Sequence, residues 1–305
     1  MITDQHLLEA GDPVAHPARV ATRIDAVSGV REDAMFVRRG GHDLFCVLYR
    51  PLGSVRRTVI ICRSFLGEAE MLYRFEVGAA RAFAAMGYAA VRVHYRGTGH
   101  SHGDRSTATV NDMADDVKTA ANVAAKMTQS ESLAFIGIRA GTLVAATAVA
   151  ESAGIPLALW EPVADGARYV PAFVRAQNAL VLATEGSQRK TIAQVRQEIE
   201  TKGCADALGF PIHRALYESL AACRLREILA CAARPVLLVQ VGMRDEWKAE
   251  HATLGNALAA AGSRVERALI TGENPANWFV LPDVHSSGVL LESTARWLEG
   301  LRDNP

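Results

Sequence analysis

Gly137-Ile138-Arg139-Ala140-Gly141 stands between a short apolar run and an alanine-rich stretch in "FIGIRAGTLVA" (Phe135–Ala145). A Gly-x-Ser-x-Gly at such a junction holds a serine nucleophile on a strained strand-to-helix turn, with the N–H groups of the following helix aimed at the same point. Here Arg139 holds the serine's place. Arginine stays protonated at any useful pH and carries only donors, so ordinary acyl-enzyme chemistry is excluded at this position. A guanidinium can instead grip a carboxylate or phosphate, in a spot where helix N–H groups already favour an anion. An unpaired buried guanidinium costs too much to persist. Either a ligand anion meets Arg139, or an internal acid (Glu161, Glu68 or Asp245) neutralises it and the pocket is closed. Thr142 and Ser64 are hydroxyls that could stand in for the serine, yet neither lies on the turn. The plain alternative is a glycine-bounded turn whose arginine points to solvent.

A second group is "HYRGTGHSHGD" (His94–Asp104), with three histidines close together. Imidazoles bind metals, but no carboxylate or cysteine falls at a supporting ligand spacing. No metal and no cofactor is assigned.

Bulk properties narrow the classes. The chain has 305 residues, with 33 basic and 33 acidic side chains and half its residues apolar. Balanced charge argues against nucleic acid or an anionic membrane surface as the main partner. Five cysteines, none in C-x-x-C spacing, suit a reducing cytoplasm better than a disulfide frame. Asp4, Glu9 and Asp12 interrupt the first 25 residues, where a signal peptide would need an apolar stretch. No apolar run reaches the roughly 18 residues of a membrane span.

The elements that must position Arg139 are legible in outline. Residues to about Val30 have weak periodicity and read as an extension, loose or draped on the surface. Ala34–Arg39 and Leu44–Arg50 flank Gly40-Gly41-His42-Asp43, a hairpin signal. Buried parallel strands are expected at Arg57–Arg63, Tyr88–His94, Leu133–Ile138, Pro156–Trp160, Pro235–Val241 and Arg264–Ile270. Helices are expected at Met71–Met86, at Val110–Met127 with apolar positions recurring at three and four, from Ala140, at Trp247–Ala261 and at Val289–Leu301. From about Asp165 to Ala233 the alternation stops and the pattern reads as helices only. The expected fold is α/β: a mostly parallel eight-stranded sheet covered on both faces. A helical cap (165–233) is inserted before the last two strands, with a core at 31–164 and 234–305 and an extension at 1–30.

This order of elements resembles the α/β-hydrolase fold from about residue 33 onward. The resemblance implies that the loop after the third strand, "CRSFLGEAE" (Cys62–Glu70), supplies an oxyanion-hole N–H near Phe65, with Ala140 at the elbow supplying another. That loop usually begins His-Gly; here Arg63-Ser64 takes the place. "HYRGTGHS" resembles the Asp-x-Arg-Gly-x-Gly-x-Ser loop of the superfamily, with His94 replacing the aspartate. The chain order nucleophile, acid, histidine implies an acid just after Pro235–Val241, where Asp245 and Glu246 stand, with Asp245 paired to His285, in "LPDVHSSG", as the histidine.

A narrower resemblance is to the exosortase A system-associated hydrolases, type 2. It rests on "SFLGEAEMLYR", "GIRAGTLVA", "LWEPVADGARYVPAFVR" (Leu159–Arg175), "ADALGFPIH" and "NPANWFVLPDV" (Asn274–Val284). That subgroup also carries arginine at the elbow. The resemblance implies a cytoplasmic bacterial protein linked to exopolysaccharide or cell-surface sorting.

Two functional readings stand. The first is a pseudoenzyme, a non-catalytic member of the fold that binds a small anionic ligand, or a protein partner through the cap. The second is an enzyme acting on an ester-like or acyl substrate, with water or His285 as base and Arg139 stabilising a developing oxyanion.

Overall fold

The computed structural model describes residues 17–181, 190–207, 209–272 and 288–301. Its strands are β1 (Ala18–Asp25), β2 (Val30–Arg39), β3 (His42–Pro51), β4 (Thr58–Cys62), β5 (Ala89–Val93), β6 (Leu133–Ile138), β7 (Leu157–Trp160), β8 (Cys204–Ala207), β9 (Phe210–His213), β10 (Pro235–Gly242) and β11 (Arg264–Thr271). Its α-helices are α1 (Leu66–Met71), α2 (Tyr73–Ala85), α3 (Val110–Thr128), α4 (Gly141–Val149), α5 (Tyr169–Val181), α6 (Ile192–Lys202), α7 (Arg214–Ala222), α8 (Leu225–Ile228), α9 (Ala249–Ala260) and α10 (Gly288–Gly300).

The central sheet runs β1-β2-β3-β5-β4-β6-β7-β10-β11. The pairs among β1, β2, β3 and β5 are antiparallel, and from β5 onward neighbours are parallel. All eight expected strands are present, and a ninth is added. Residues 18–25 do not drape; they pair antiparallel with β2, across a register shift between Arg19 and Ala21. Val20 and Ile24 remain more than half exposed, at 58% and 53%. Burial therefore never enforced an apolar pattern on this edge strand. Its anchor is polar: buried Asp33 on β2 accepts from Thr22 Oγ1 at 2.7 Å and is ringed by Arg31 and Arg50.

Period-two alternation splits the sheet's side chains between two faces. Ile60, Val91, Phe135, Leu159 and Leu238 face α3 and α4. Val59, Ile61, Ile136, Trp160 and Val239 face α2 and α10. Each such fully buried side chain contributes about 1.5–3 kcal/mol. A Thr109–Asp112 capping box starts α3, and Gln129 ends it in the left-handed region.

Residues 165–233 do not form helices only. β8 and β9 pair with each other and with no central strand. This hairpin turns at Gly209, whose φ is +87°. Its Phe210 meets Phe173 of α5 edge-on at 5.8 Å, and a Cβ on Gly67 would come within 3.0 Å of the Phe210 ring. Tyr169 donates its hydroxyl to the Phe65 carbonyl at 3.0 Å, and Ser219 Oγ accepts from the Val110 N–H at 3.2 Å. These contacts seat the segment over the carboxyl ends of the parallel strands, where ligands bind in open α/β sheets.

Candidate functional site

The turn after β6 is tightly constrained. A Cβ on Gly137 would lie 2.4 Å from Thr142 Cα, and one on Gly141 would lie 2.2 Å from the Cys62 carbonyl oxygen. Only glycine lets α4 start this close to β4 and β6. Arg139 has φ 54°, and its N–H donates to the Trp160 carbonyl at 2.9 Å. The other non-glycine residues with positive φ are Leu66, Glu161 and Gln129 among the described residues. Gln129 is a helix cap, Glu161 contacts Arg139, and Leu66 opens α1, the helix that carries Glu68. Such strain costs of the order of 1–3 kcal/mol per residue and collects at functional sites.

The guanidinium is clasped by internal acids. Arg139 Nε and Nη2 donate to Glu68 Oε1 at 3.3 and 3.1 Å. Nη1 donates to the Glu161 carbonyl at 3.4 Å and lies 3.9 Å from Glu161 Oε2. Glu161 is 1% exposed and has further partners: the Val241 N–H at 2.6 Å on Oε1 and Lys248 Nζ at 2.5 Å on Oε2. Glu68 Oε2 accepts from Ser64 Oγ at 2.6 Å and lies 3.4 Å from the Tyr169 hydroxyl oxygen. Two cations thus meet two carboxylates. Burial pushes the Arg139 pKa down, but Glu68, and then Glu161, outweigh it and leave it raised.

Of the three acids that could neutralise Arg139, the structure brings in Glu68 and Glu161. Asp245 is exposed and makes no ion pair or hydrogen bond with a described residue. Glu161, one residue past β7, is buried beside the elbow, whereas Asp245 follows β10 at the surface. His285 lies outside the described residues. The Thr142 hydroxyl is committed, donating to the Arg139 carbonyl at 2.6 Å and accepting from the Val163 N–H at 3.3 Å. Ser64 is 1% exposed and donates to Glu68. Neither hydroxyl touches a histidine among the described residues. Among the described residues, the N–H groups of Phe65 and Ala140 donate to no backbone carbonyl. Lys248 and Tyr169 were missed in the sequence; both are recognisable only once distant segments are side by side.

The histidine loop does structural work. His94 Nδ1 accepts the His100 N–H at 3.2 Å, and the two rings stack at 5.6 Å. A Cβ on Gly99 would strike His94 Nδ1 at 2.1 Å, so glycine is required there. Ser101 Oγ donates to the His94 carbonyl at 2.6 Å, while Arg96 is fixed on Asp116 and Asp112. His102 leans toward Asp43, 3.5 Å from its carboxylate. Among the described residues no cluster of three or more His, Cys, Asp or Glu is placed to hold a metal.

Burial, then Arg63 and Arg92, push the His94 pKa down from 6.5 to about 3. An unfolded chain takes up this proton near 6.5, whereas the folded one resists until near 3. Stability from His94 is complete above the unfolded value and is lost as pH falls toward the folded one. Urea unfolding at about pH 7.5 and about pH 5 should therefore show lower stability in acid, and His94→Gln should flatten that difference. An unchanged difference in the variant would assign the acid sensitivity to other groups.

A family model described as serine aminopeptidase, S33 matches residues 53–200. Solved structures share the architecture. Est1E from Butyrivibrio proteoclasticus, solved with ferulic acid, is 16% identical with TM-score 0.57, covering 86% of this chain and 100% of that one. An esterase from Pyrococcus furiosus is also 16% identical with TM-score 0.57, covering 94% and 99%. Alpha/beta hydrolase domain-containing protein 10 from mouse is 18% identical with TM-score 0.54, covering 88% and 99%. No curated protein matches by sequence. The chain has the α/β-hydrolase fold.

Proposed function

We propose that this chain keeps the α/β-hydrolase scaffold without serine-esterase catalysis and works by binding an anionic small molecule beneath its 165–233 cap. The observation that carries the loss of serine catalysis is the elbow itself: Arg139 stands in the serine's place and is held by Glu68 and Glu161, so the ligand anion of this reading binds elsewhere under the cap. The ion-paired elbow is electrically complete, so it functions as a support for neighbouring loops. The resemblance to exosortase A-associated type 2 hydrolases supports a cytoplasmic setting tied to exopolysaccharide or surface export in a bacterium. A protein partner contacting the cap belongs to the same reading.

The purified protein should give no burst with activated esters and no labelling by serine-directed phosphonates. Stoichiometric labelling at any residue, located by mass spectrometry, would refute the loss of nucleophilic catalysis. The N–H groups of Phe65 and Ala140, which donate to no backbone carbonyl among the described residues, favour one second reading: an acyl- or ester-processing enzyme in which water attacks, His285 acts as base and Arg139 helps hold the oxyanion. Steady ester turnover without phosphonate labelling, abolished by His285→Ala, would select it.

A further inference from the structure

A cavity of about 380 Å³ lies between the loop after β4, the histidine loop and the β8–β9 hairpin, and Arg139 does not line it. Its polar wall is built from Arg63 and His94, which are only 7% and 6% exposed. Arg63 belongs to a buried charge cluster that does not balance. Glu76 Oε2 lies 2.9 Å from Arg92 Nη2 and 3.4 Å from Arg63 Nε, so one carboxylate faces two guanidinium groups. Arg63 Nη2 donates to the Ala69 carbonyl at 2.9 Å, and its Nη1 has no acceptor among the described residues. Tyr73 offers its ring face to both guanidinium groups, at 5.8 and 4.7 Å, and supplies no charge. One positive charge is left over beside the cavity.

His94 extends this wall with a neutral donor. Its Nδ1 accepts from the loop backbone, which places the proton on Nε2. Phe65, Met113, Phe210 and Leu216 form the apolar wall. Arg105 and Glu70 line the same cavity, are both exposed, and offset one another in charge.

We propose that this cavity binds a monocarboxylate with an apolar chain, its carboxylate on Arg63 and its chain against the cap hairpin. A single surplus charge fits a monoanion better than a phosphate dianion, and a guanidinium matches a carboxylate's geometry. The volume falls within the range of small-molecule sites, which are mostly apolar with few polar groups. The site deepens the proposed binding role but does not depend on the silent elbow, since none of its donors contacts Arg139.

The test is calorimetric titration with sodium octanoate and with octanol. Octanoate should bind one to one at sub-millimolar concentration, with octanol at least tenfold weaker. Arg63→Gln removes the surplus charge while leaving the Glu76–Arg92 pair, and should weaken octanoate at least tenfold. Phe210→Trp, which fills the cavity from the cap side, should weaken both compounds without touching the charge cluster. Equal binding of octanol and octanoate would overturn the carboxylate assignment, as would octanoate binding lost in Arg139→Gln but kept in Arg63→Gln. No octanoate binding by the wild-type protein at millimolar concentration would overturn the site. Esterase assays on the same protein report separately on the elbow.

Discussion

Glu76→Gln is expected to destabilise the protein by about 3–5 kcal/mol, a large share of the ~5–15 kcal/mol that holds a typical domain folded. Glu76 lies on the face of α2 that packs against the sheet and is 0% exposed; Arg92 is 3% exposed. Burial disfavours the Arg92 charge, but Glu76 and then Tyr49 outweigh it and leave its pKa raised. Glutamine keeps the shape and removes the only carboxylate within ion-pair distance of either guanidinium among the described residues. Two largely buried cations would then face each other with no carboxylate between them. A surface control calibrates the effect. Arg56 and Glu299 pair at 2.6 Å but are each about half exposed, so Glu299→Gln should cost under about 1 kcal/mol. Urea midpoints at unchanged slope give both numbers. A Glu76→Gln cost no larger than that of the control would mean that Arg63 and Arg92 find other relief.

That cluster was legible in principle. "AAVRV" is an otherwise apolar strand with one arginine, and Glu76 interrupts the stripe Leu72, Phe75, Ala79 and Phe83. Each anomaly demands a buried partner, but sequence cannot say that the two anomalies satisfy each other. The same limit applied at the elbow. Glycine spacing predicted the turn, and electrostatics required an acid for Arg139. The choice of Glu68, 71 residues away, and Glu161, 22 residues away, over Asp245 follows from sheet order. Buried strands were easiest to find because apolar runs bounded by charge have few other uses. β1 escaped because its side chains are mostly exposed, so no core dictates its pattern. The β8–β9 hairpin escaped because four-residue strands carry little periodicity and Pro211 argues against a strand.

Arg139→Ser restores the nucleophile's type at the elbow, yet it is expected to leave turnover of activated esters far below the ~1 s⁻¹ of even a slow ordinary enzyme. Two causes act together. The serine needs a base within about 3 Å. Among the described residues, His94 lines the separate cavity with its Nδ1 committed to the loop, and His251 is held between Gln240 and the Pro162 carbonyl. The second cause is charge. Removing Arg139 leaves Glu68 and Glu161 with Lys248 alone, so the pocket changes from neutral to net negative. A unit charge about 4 Å from a developing oxyanion is worth roughly 4 kcal/mol at an effective dielectric of 20, or about a thousandfold in rate. The double variant Arg139→Ser/Glu68→Gln removes that repulsion while leaving the base problem untouched. It should exceed the single variant in single-turnover acylation by a p-nitrophenyl ester, releasing p-nitrophenolate, while remaining slow to deacylate. If Arg139→Ser alone turns over at about 1 s⁻¹ or faster, a competent base already faces the elbow and the arginine by itself silences an otherwise complete site. If the double variant acylates no faster than the single one, Glu68 does not control the charge at the reaction centre, and its contribution is confined to holding Arg139 and Ser64 in place.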